Sequence, residues 1–315
     1  MTTTSAPADA LPAIDAALVR ALLADQHPDL AHLPVTEFAD GLDNRVFRLG
    51  PALTVRLPRR PEGAQLIANE HRWLPGLMAG LAGLDDPLAT SAPLRQGEPA
   101  CGYPWRWSVG PWLPGRSAAV EPPADPLDAA RRLGAFLAAI HVPAPADAPP
   151  NPYRGGPLST RDAFLELHLA AAGQLGRSLG NGVTAEAVVR AWERLSAAPE
   201  WHGPPLWLHG DVHPANLVVR DGRLSAVLDF GDLTAGDPAT DLFVAWQLLP
   251  ASARTAFRAA AGSGPYPVDD ATWTRAQGWA VAHSVAILGG LPNPDDPLLD
   301  VARRTLTELV GSPLA

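Results

Sequence analysis

Residues 206–232 read LWLHGDVHPANLVVRDGRLSAVLDFGD. The apolar run Leu206–Leu208 leads into His209-Gly210-Asp211, and Asn216 follows five residues after Asp211. Leu217–Arg220 and Leu224–Leu228 are two apolar runs separated by a turn at Asp221-Gly222, which predicts a tight β-hairpin. The second run delivers Asp229-Phe230-Gly231. A hairpin returns the chain close to where it left, so Asp211, Asn216 and Asp229 are expected to converge. Each of them alone reads as an ordinary loop or turn residue. The three at this spacing, with the hairpin between them, point to a site.

Phosphoryl transfer needs one carboxylate to orient an acceptor hydroxyl and take its proton, and two further oxygen ligands to hold Mg²⁺ against the phosphates. Asp211 suits the first task, and Asn216 and Asp229 the other two. The order matches the kinase pattern of an Asp, four residues and an Asn, then Asp-Phe-Gly downstream. The stretch resembles the aminoglycoside phosphotransferase family, which includes the macrolide phosphotransferases and shares the protein-kinase fold. His209-Gly210-Asp211 is similar to the family's signature, and Gly236-Asp237-Pro238-Ala239-Thr240-Asp241 to the segment after its second metal motif. The resemblance implies Asp211 as catalytic base, Asn216 and Asp229 as Mg²⁺ ligands, and ATP or GTP as phosphoryl donor. Asp237 and Asp241 are expected to brace the loop or cap the next helix. His209 and His213 lie four apart, but Gly210 and Pro214 oppose a helix and the glutamate of a zinc-protease motif is absent. His209 is expected to hold the loop through backbone hydrogen bonds.

Upstream of this stretch the pattern is sheet-rich. Apolar spacing predicts a helix over 12–25, and strands are expected at Leu33–Phe38, Asn44–Leu49 and Ala52–Leu57. A helix over 64–79, interrupted in its later part by Pro75, and an aromatic strand over 103–109 follow. Pro111, Pro114 and Gly115 mark a lobe boundary. Helical patterns recur at 126–141, 161–175 and 185–197, with a Pro-rich irregular connection over 142–156, and helices continue beyond the hairpin. The expectation is an α+β, protein-kinase-like bilobal fold. Residues 1–110 form a small nucleotide-binding N-lobe. Residues 111–315 form a larger helical C-lobe with the catalytic loop and the acceptor site.

In the N-lobe, Arg56 of Leu53-Thr54-Val55-Arg56-Leu57-Pro58 stands where kinases carry a Lys, with Glu70 as its partner. An arginine fork can bind phosphate bidentately, so the role survives the change. The turn Ala39–Asn44, with Gly41, Asp43 and Asn44, is the candidate phosphate-covering loop. Trp107–Trp112 is the candidate hinge for the base, with Ser108 and Val109 as backbone contacts. Trp105, Trp107 and Trp112 are expected to pack.

Composition excludes several alternatives. The chain has 315 residues, 47% hydrophobic and 18% charged, which supports a buried core. The net charge of -9 argues against nucleic acid and anionic membrane as partners. The single cysteine, Cys101, forms no internal disulfide. There is no lysine, so no Walker-A loop exists. The start shows no signal-peptide pattern and no apolar run reaches membrane-spanning length, so the cytoplasm is expected. The acceptor is expected to be a small-molecule hydroxyl. Trp246, Trp273, Tyr266 and Trp279 suggest an aromatic pocket for a macrolide, and an aminoglycoside stands beside it. A metabolite kinase acting on an amino alcohol, homoserine or a sugar, and a nucleotide-binding pseudokinase, stay open.

Overall fold

The structure, a computed structural model, describes residues 13–41 and 43–311. Helix α1 (Ala16–Gln26) precedes strands β1 (Val35–Asp40), β2 (Asn44–Leu49) and β3 (Leu53–Pro58), and then helix α2 (Pro61–Leu81). Short strands β4 (Ala89–Thr90), β5 (Arg95–Gly97), β6 (Trp107–Pro111) and β7 (Arg116–Ser117) come next. Helices α3 (Pro126–Ile140), α4 (Asp162–Gln174) and α5 (Ala185–Ser196) lead to β8 (Leu206–Leu208), β9 (Leu217–Arg220), β10 (Arg223–Val227) and β11 (Thr234–Gly236). Helices α6 (Ala239–Leu242), α7 (Val244–Leu248), α8 (Ala251–Ala261), α9 (Asp270–Gly290) and α10 (Pro297–Gly311) complete the chain.

The chain divides into two compact units. The first holds the described residues up to Pro75 together with Ser91–Leu113, and the second holds Gly76–Thr90 and the described residues from Pro114 on. A division at 110/111 does not foresee that residues 76–90 belong with the second unit. Pairing explains it: Ala89 and Thr90 of β4 lie parallel to Ala226 and Val227 of β10, and Asp86 takes ion pairs from Arg132 and Arg223.

The first unit is a five-stranded antiparallel sheet in the order β1-β2-β3-β6-β5. Asp15 caps α1 by accepting from the Ala17 and Leu18 amides at 2.9 Å, which starts the helix later than residue 12; Pro12 lies outside the described residues. Leu18, Val19, Leu22 and Leu23 then bury one helix face in a cluster with Phe47, Leu49, Val55, Leu57 and Trp107. Gly97 is required by close approach, because a Cβ there would fall 1.9 Å from the Trp107 ring. The aromatic strand begins at Trp107 and not at 103, because Tyr103 is bridged back to Ala100 through Cys101 and Gly102 at φ 54° and 78°.

Helix α2 runs through Pro75 without a break. Proline removes the amide that would bond the carbonyl of His71. The side chain of Gln96 donates to that carbonyl instead, at 3.1 Å, so the helix keeps its course.

In the second unit, a four-stranded sheet β4-β10-β9-β7 and the pair β11-β8 carry the loops, and the helices supply most of the core. The expected hairpin is present, with Arg220 paired to Arg223 across Asp221-Gly222, at φ 52° and 75°. Strand β11, which the sequence pattern does not announce, pairs with β8 through Thr234 and Leu208. Helix α9 is buried along most of its length, and α4, α5, α6 and α10 pack on it. Among the described residues no helix is long and apolar enough to cross a membrane.

Candidate active site

Strand β8 is fully buried and feeds His209-Gly210-Asp211. Gly210 turns the chain at φ 86°, and a Cβ there would sit 2.2 Å from the carbonyl of Asp232, so only glycine fits. Asp241 lies under the turn and accepts from the amides of His209 and Gly210, both at 2.8 Å, and from His141 Nε2 at 3.1 Å. His209 donates from Nε2 to the carbonyl of Leu228 at 2.9 Å and accepts the Asp211 amide at Nδ1. It therefore ties the loop to the end of the hairpin, through the backbone bonds expected of it. Asp237 is held by Arg275 at 2.6 Å and accepts the Ala239 amide at the start of α6. The bracing expected of Asp237 and Asp241 is thus visible as specific bonds.

The Asn216 amide group donates to the carbonyl of Asp211 at 3.0 Å, which leaves its side-chain oxygen for another partner. The Leu228 amide donates to the Asn216 carbonyl at 2.8 Å, so the residue before Asp229 sits against Asn216. Asp229 is exposed and stands at φ 59°, a left-handed conformation costly for a non-glycine residue. One of its oxygens accepts the Gly231 amide. Asn216 and Asp229 thus present hard oxygen donors at one end of the hairpin, beside Asp211, which fits the chemistry of Mg²⁺.

Asp211 is enclosed by three basic groups. Arg154 reaches one carboxylate oxygen at 2.8 Å, and His213 Nε2 the other at 3.2 Å. His283 Nε2, from α9, lies 3.6 Å away. Gln247 donates to His283 Nδ1 and the Ala215 amide donates to His213 Nδ1, so in the neutral tautomer each ring points an N–H at Asp211. Burial works to raise the Asp211 carboxyl, but His213, His283 and Arg154 outweigh it and hold the group well below the usual carboxylate range. The three side-chain atoms of Asp211, His213 and His283 lie within 4.8 Å of one another. The imidazoles spend their Nε2 protons on the carboxylate, which explains the cluster without an ion. Asp232, held by Arg154 at 3.5 Å and by Asn151 at 2.8 Å, is raised by burial, with Asp211 and Asp229 adding to the effect.

Burial also pushes His283 down to about 4, and the hydrogen bond to Asp211 does not offset it. An unfolded histidine titrates near 6.5, so between about 6.5 and 4 the unfolded chain binds the extra proton. The His283 contribution is complete above about pH 6.5 and is lost as the pH falls toward 4, by at most about 3 kcal/mol. His71, lowered to about 4 mainly by burial, acts in the same direction. Urea unfolding at pH 7 and pH 4.5 is expected to show a smaller acid-induced loss in His283→Gln than in the wild type. Equal losses would refute this account of the histidine.

A cavity of about 260 Å³ opens at Asp211, entirely within the second unit. Tyr153, Phe164, Phe243 and Trp279 form much of its wall, and Arg154 and Arg161 line it as well. Of the four aromatics expected there, only Trp279 lines it. Trp246 and Trp273 pack in a tilted pair with ring centroids 4.5 Å apart, and Tyr266 meets Trp201 edge-on, so those three serve packing.

In the first unit, Arg56 pairs with the buried Glu70. Gly41, Asp43 and Asn44 form a turn closed by the Gly41 amide on the Asn44 carbonyl at 3.0 Å. Arg60 pairs with Asp43 at 2.6 Å, and Arg59 donates to the Gly41 carbonyl. Ser108 and Val109 lie in β6 with β3 on one side and β5 on the other. Their backbone is spent inside the sheet, and the Ser108 hydroxyl bonds His71 at 2.7 Å. Neither residue has a free edge for a nucleotide base, so they are corrected from hinge contacts to core residues.

Arg154, Arg161, Asp232 and His283 were missed by sequence reasoning. Arg154 lies in the Pro-rich connection and His283 in the middle of α9, 72 positions from Asp211, with no local pattern around either. Asp232 directly follows Asp229-Phe230-Gly231 and was within reach.

A sheet-rich unit and a helical unit carrying this loop-hairpin arrangement make up an α+β fold of the protein-kinase type. Residues 34–279 match the phosphotransferase enzyme family, and the chain belongs to it. It is 25% identical over 218 residues to the uncharacterized protein YcbJ of Bacillus subtilis (strain 168). It is 32% identical over 210 residues to the homoserine kinase of Gluconobacter oxydans (strain 621H). The matches take in 66% and 61% of this chain, and 66% and 58% of those proteins' lengths, respectively. Among solved structures, the GDP complex of wild-type aminoglycoside 2'-phosphotransferase-IIIa superposes with a TM-score of 0.58 at 17% identity, covering 94% of this chain and 98% of that one. The apoenzyme of macrolide 2'-phosphotransferase MphH from Brachybacterium faecium gives 0.57 at 23% identity, covering 95% and 98%. At these identities the structural likeness establishes the fold.

Proposed function

We propose that the protein transfers the γ-phosphoryl group of ATP or GTP to a hydroxyl of a small molecule bound in the cavity at Asp211. The observation that carries this reading is the grouping of Asp211, Asn216 and Asp229 at one end of the hairpin, with the cavity opening on Asp211. The acceptor oxygen bonds to the γ-phosphorus as the bond from that phosphorus to the bridging oxygen breaks. The nucleoside diphosphate leaves with the electron pair. Asp211 accepts the hydroxyl proton. A carboxylate held this low is a weak base, so it orients the hydroxyl and takes the proton late, which suits a loose transition state. Asn216 and Asp229 would hold Mg²⁺, which neutralises phosphate charge when bound. Arg56, positioned by Glu70, would hold donor phosphates, and the turn with Gly41, Asp43 and Asn44 would cover them; in this reading the first unit binds the nucleotide and the second unit, with residues 76–90, binds the acceptor.

Asp229→Asn is expected to raise the Kd for ATP in Mg²⁺ by at least about tenfold, the scale of one strong charge-assisted contact. The difference should vanish in EDTA, and calorimetry measures both. An equal effect with and without Mg²⁺ would remove Asp229 from the metal site. Among acceptors, the homoserine kinase similarity and the size of the cavity favour the metabolite reading over an antibiotic: ligand pockets usually span about 300–1,000 Å³. Among the described residues a cationic aminoglycoside would meet only one lining carboxylate, Asp211, already engaged by Arg154.

A further inference from the structure

Arg161 is the last residue of a single 3-10 turn, Leu158–Arg161, that enters α4. The residue is only 7% exposed. One Nη donates to the carbonyl of Pro152, and Nε has no partner. No carboxylate pairs with it among the described residues. Its surroundings are the rings of Phe164, Tyr153 and Trp279, 5.6–5.8 Å from the guanidinium carbon. Ring faces offset part of the cost of burying the charge, but a buried ion normally has a counter-ion. Burial and the charge of Arg154 both work against its protonation. A guanidinium nevertheless stays charged in proteins.

The cavity wall holds more of the same kind. The indole N–H of Trp279 is buried without a partner, and so is Nε of Arg154. Every buried side-chain atom without a partner among the described cavity-lining residues is therefore a donor, and none is an acceptor. Among the described residues Asp211 is the one carboxylate on this wall, and Arg154 already engages it. The wall is short of negative charge and of acceptor lone pairs.

We propose that Arg161, with the indole N–H of Trp279, forms a subsite for a carboxylate of the acceptor, so that the acceptor is a small hydroxy acid and not a cationic or neutral alcohol. The free edge of a guanidinium matches a planar carboxylate, which can take two parallel N–H bonds. Pairing there would fix the acceptor at one end and leave its hydroxyl to Asp211. The inference rests on the phosphotransferase reading above and adds the acceptor class. Its orienting bond is made alike in ground and transition states, so its loss falls mainly on KM.

The test uses the full-length protein with Mg²⁺, labelled ATP or GTP, and matched acceptors. L-Serine, L-homoserine and 4-hydroxybutyrate are each run beside the corresponding primary amide, with kanamycin, erythromycin and glucose 6-phosphate as cationic, largely apolar and phosphorylated comparisons. At least one carboxylate is expected to exceed its amide by about 100-fold in kcat/KM, the scale lost when a site's buried donors go unpaired. Arg161→Gln should reduce that preference to within a few-fold, chiefly through KM, and Arg161→Lys should retain part of it. The proposal is overturned if amides match carboxylates, if Arg161→Gln lowers both alike, if only a comparison acceptor is phosphorylated, or if no acceptor is phosphorylated at all. Nucleotide binding and Asp211-dependent hydrolysis of the donor are measured in parallel. If both persist while the carboxylate preference fails, only this inference falls; if both are absent, the phosphotransferase reading falls with it.

Discussion

Asp211→Asn is expected to lower kcat by roughly 10²–10⁴-fold while leaving the Kd for nucleotide within a few-fold of the wild type. The substitution keeps the shape of the side chain and removes its charge. Arg154, His213 and His283 then lose the anion they enclose. The acceptor hydroxyl loses the group that orients it and receives its proton. Nucleotide affinity depends on other contacts, so binding measured by calorimetry separates a chemical defect from a folding defect. A variant that turns over normally would remove Asp211 from the chemistry.

The second large effect is on stability. Asp241 is fully buried and accepts three hydrogen bonds, two of them from the backbone of the loop that carries Asp211. Asp241→Ala leaves two buried amides and His141 without an acceptor. Each orphaned donor costs about 1–3 kcal/mol, and breaking a buried charged network costs about 3–5 kcal/mol in all. Urea unfolding should show a midpoint shift of that size, with activity lost in parallel. Asp241→Asn retains one acceptor oxygen and should lose less. A shift under about 0.5 kcal/mol for the alanine variant would show that the loop is held by other means.

What the sequence made legible was whatever lies close along the chain. Asp211, Asn216 and Asp229 fall within 19 residues, and the Asp221-Gly222 turn between them announces its own geometry. Strand β2 matched its expected bounds because a glycine-proline turn and a polar turn flank it. Groups that arrive from far away were not legible. His283 and Arg154 meet Asp211 only because the tertiary fold brings α9 and the connection before α4 to the loop that follows β8, and nothing in their own segments marks them. The Pro75 expectation failed for a related reason, since Gln96, 21 positions on, bonds the carbonyl that proline leaves free. Ser108 and Val109 failed as base contacts because the pattern did not reveal β5, which pairs with the outer side of β6.

The central claim is that a phosphoryl group moves from a nucleotide to a small hydroxyl at Asp211. The most direct test is to incubate the protein with Mg²⁺, ATP or GTP labelled at the γ-phosphate, and the acceptor panel, and to follow the label by mass spectrometry. The expected result is an acceptor heavier by one phosphoryl group, carrying the label, and absent when Asp211→Asn replaces the wild type. No labelled product from any acceptor, together with no nucleotide binding, would contradict the account.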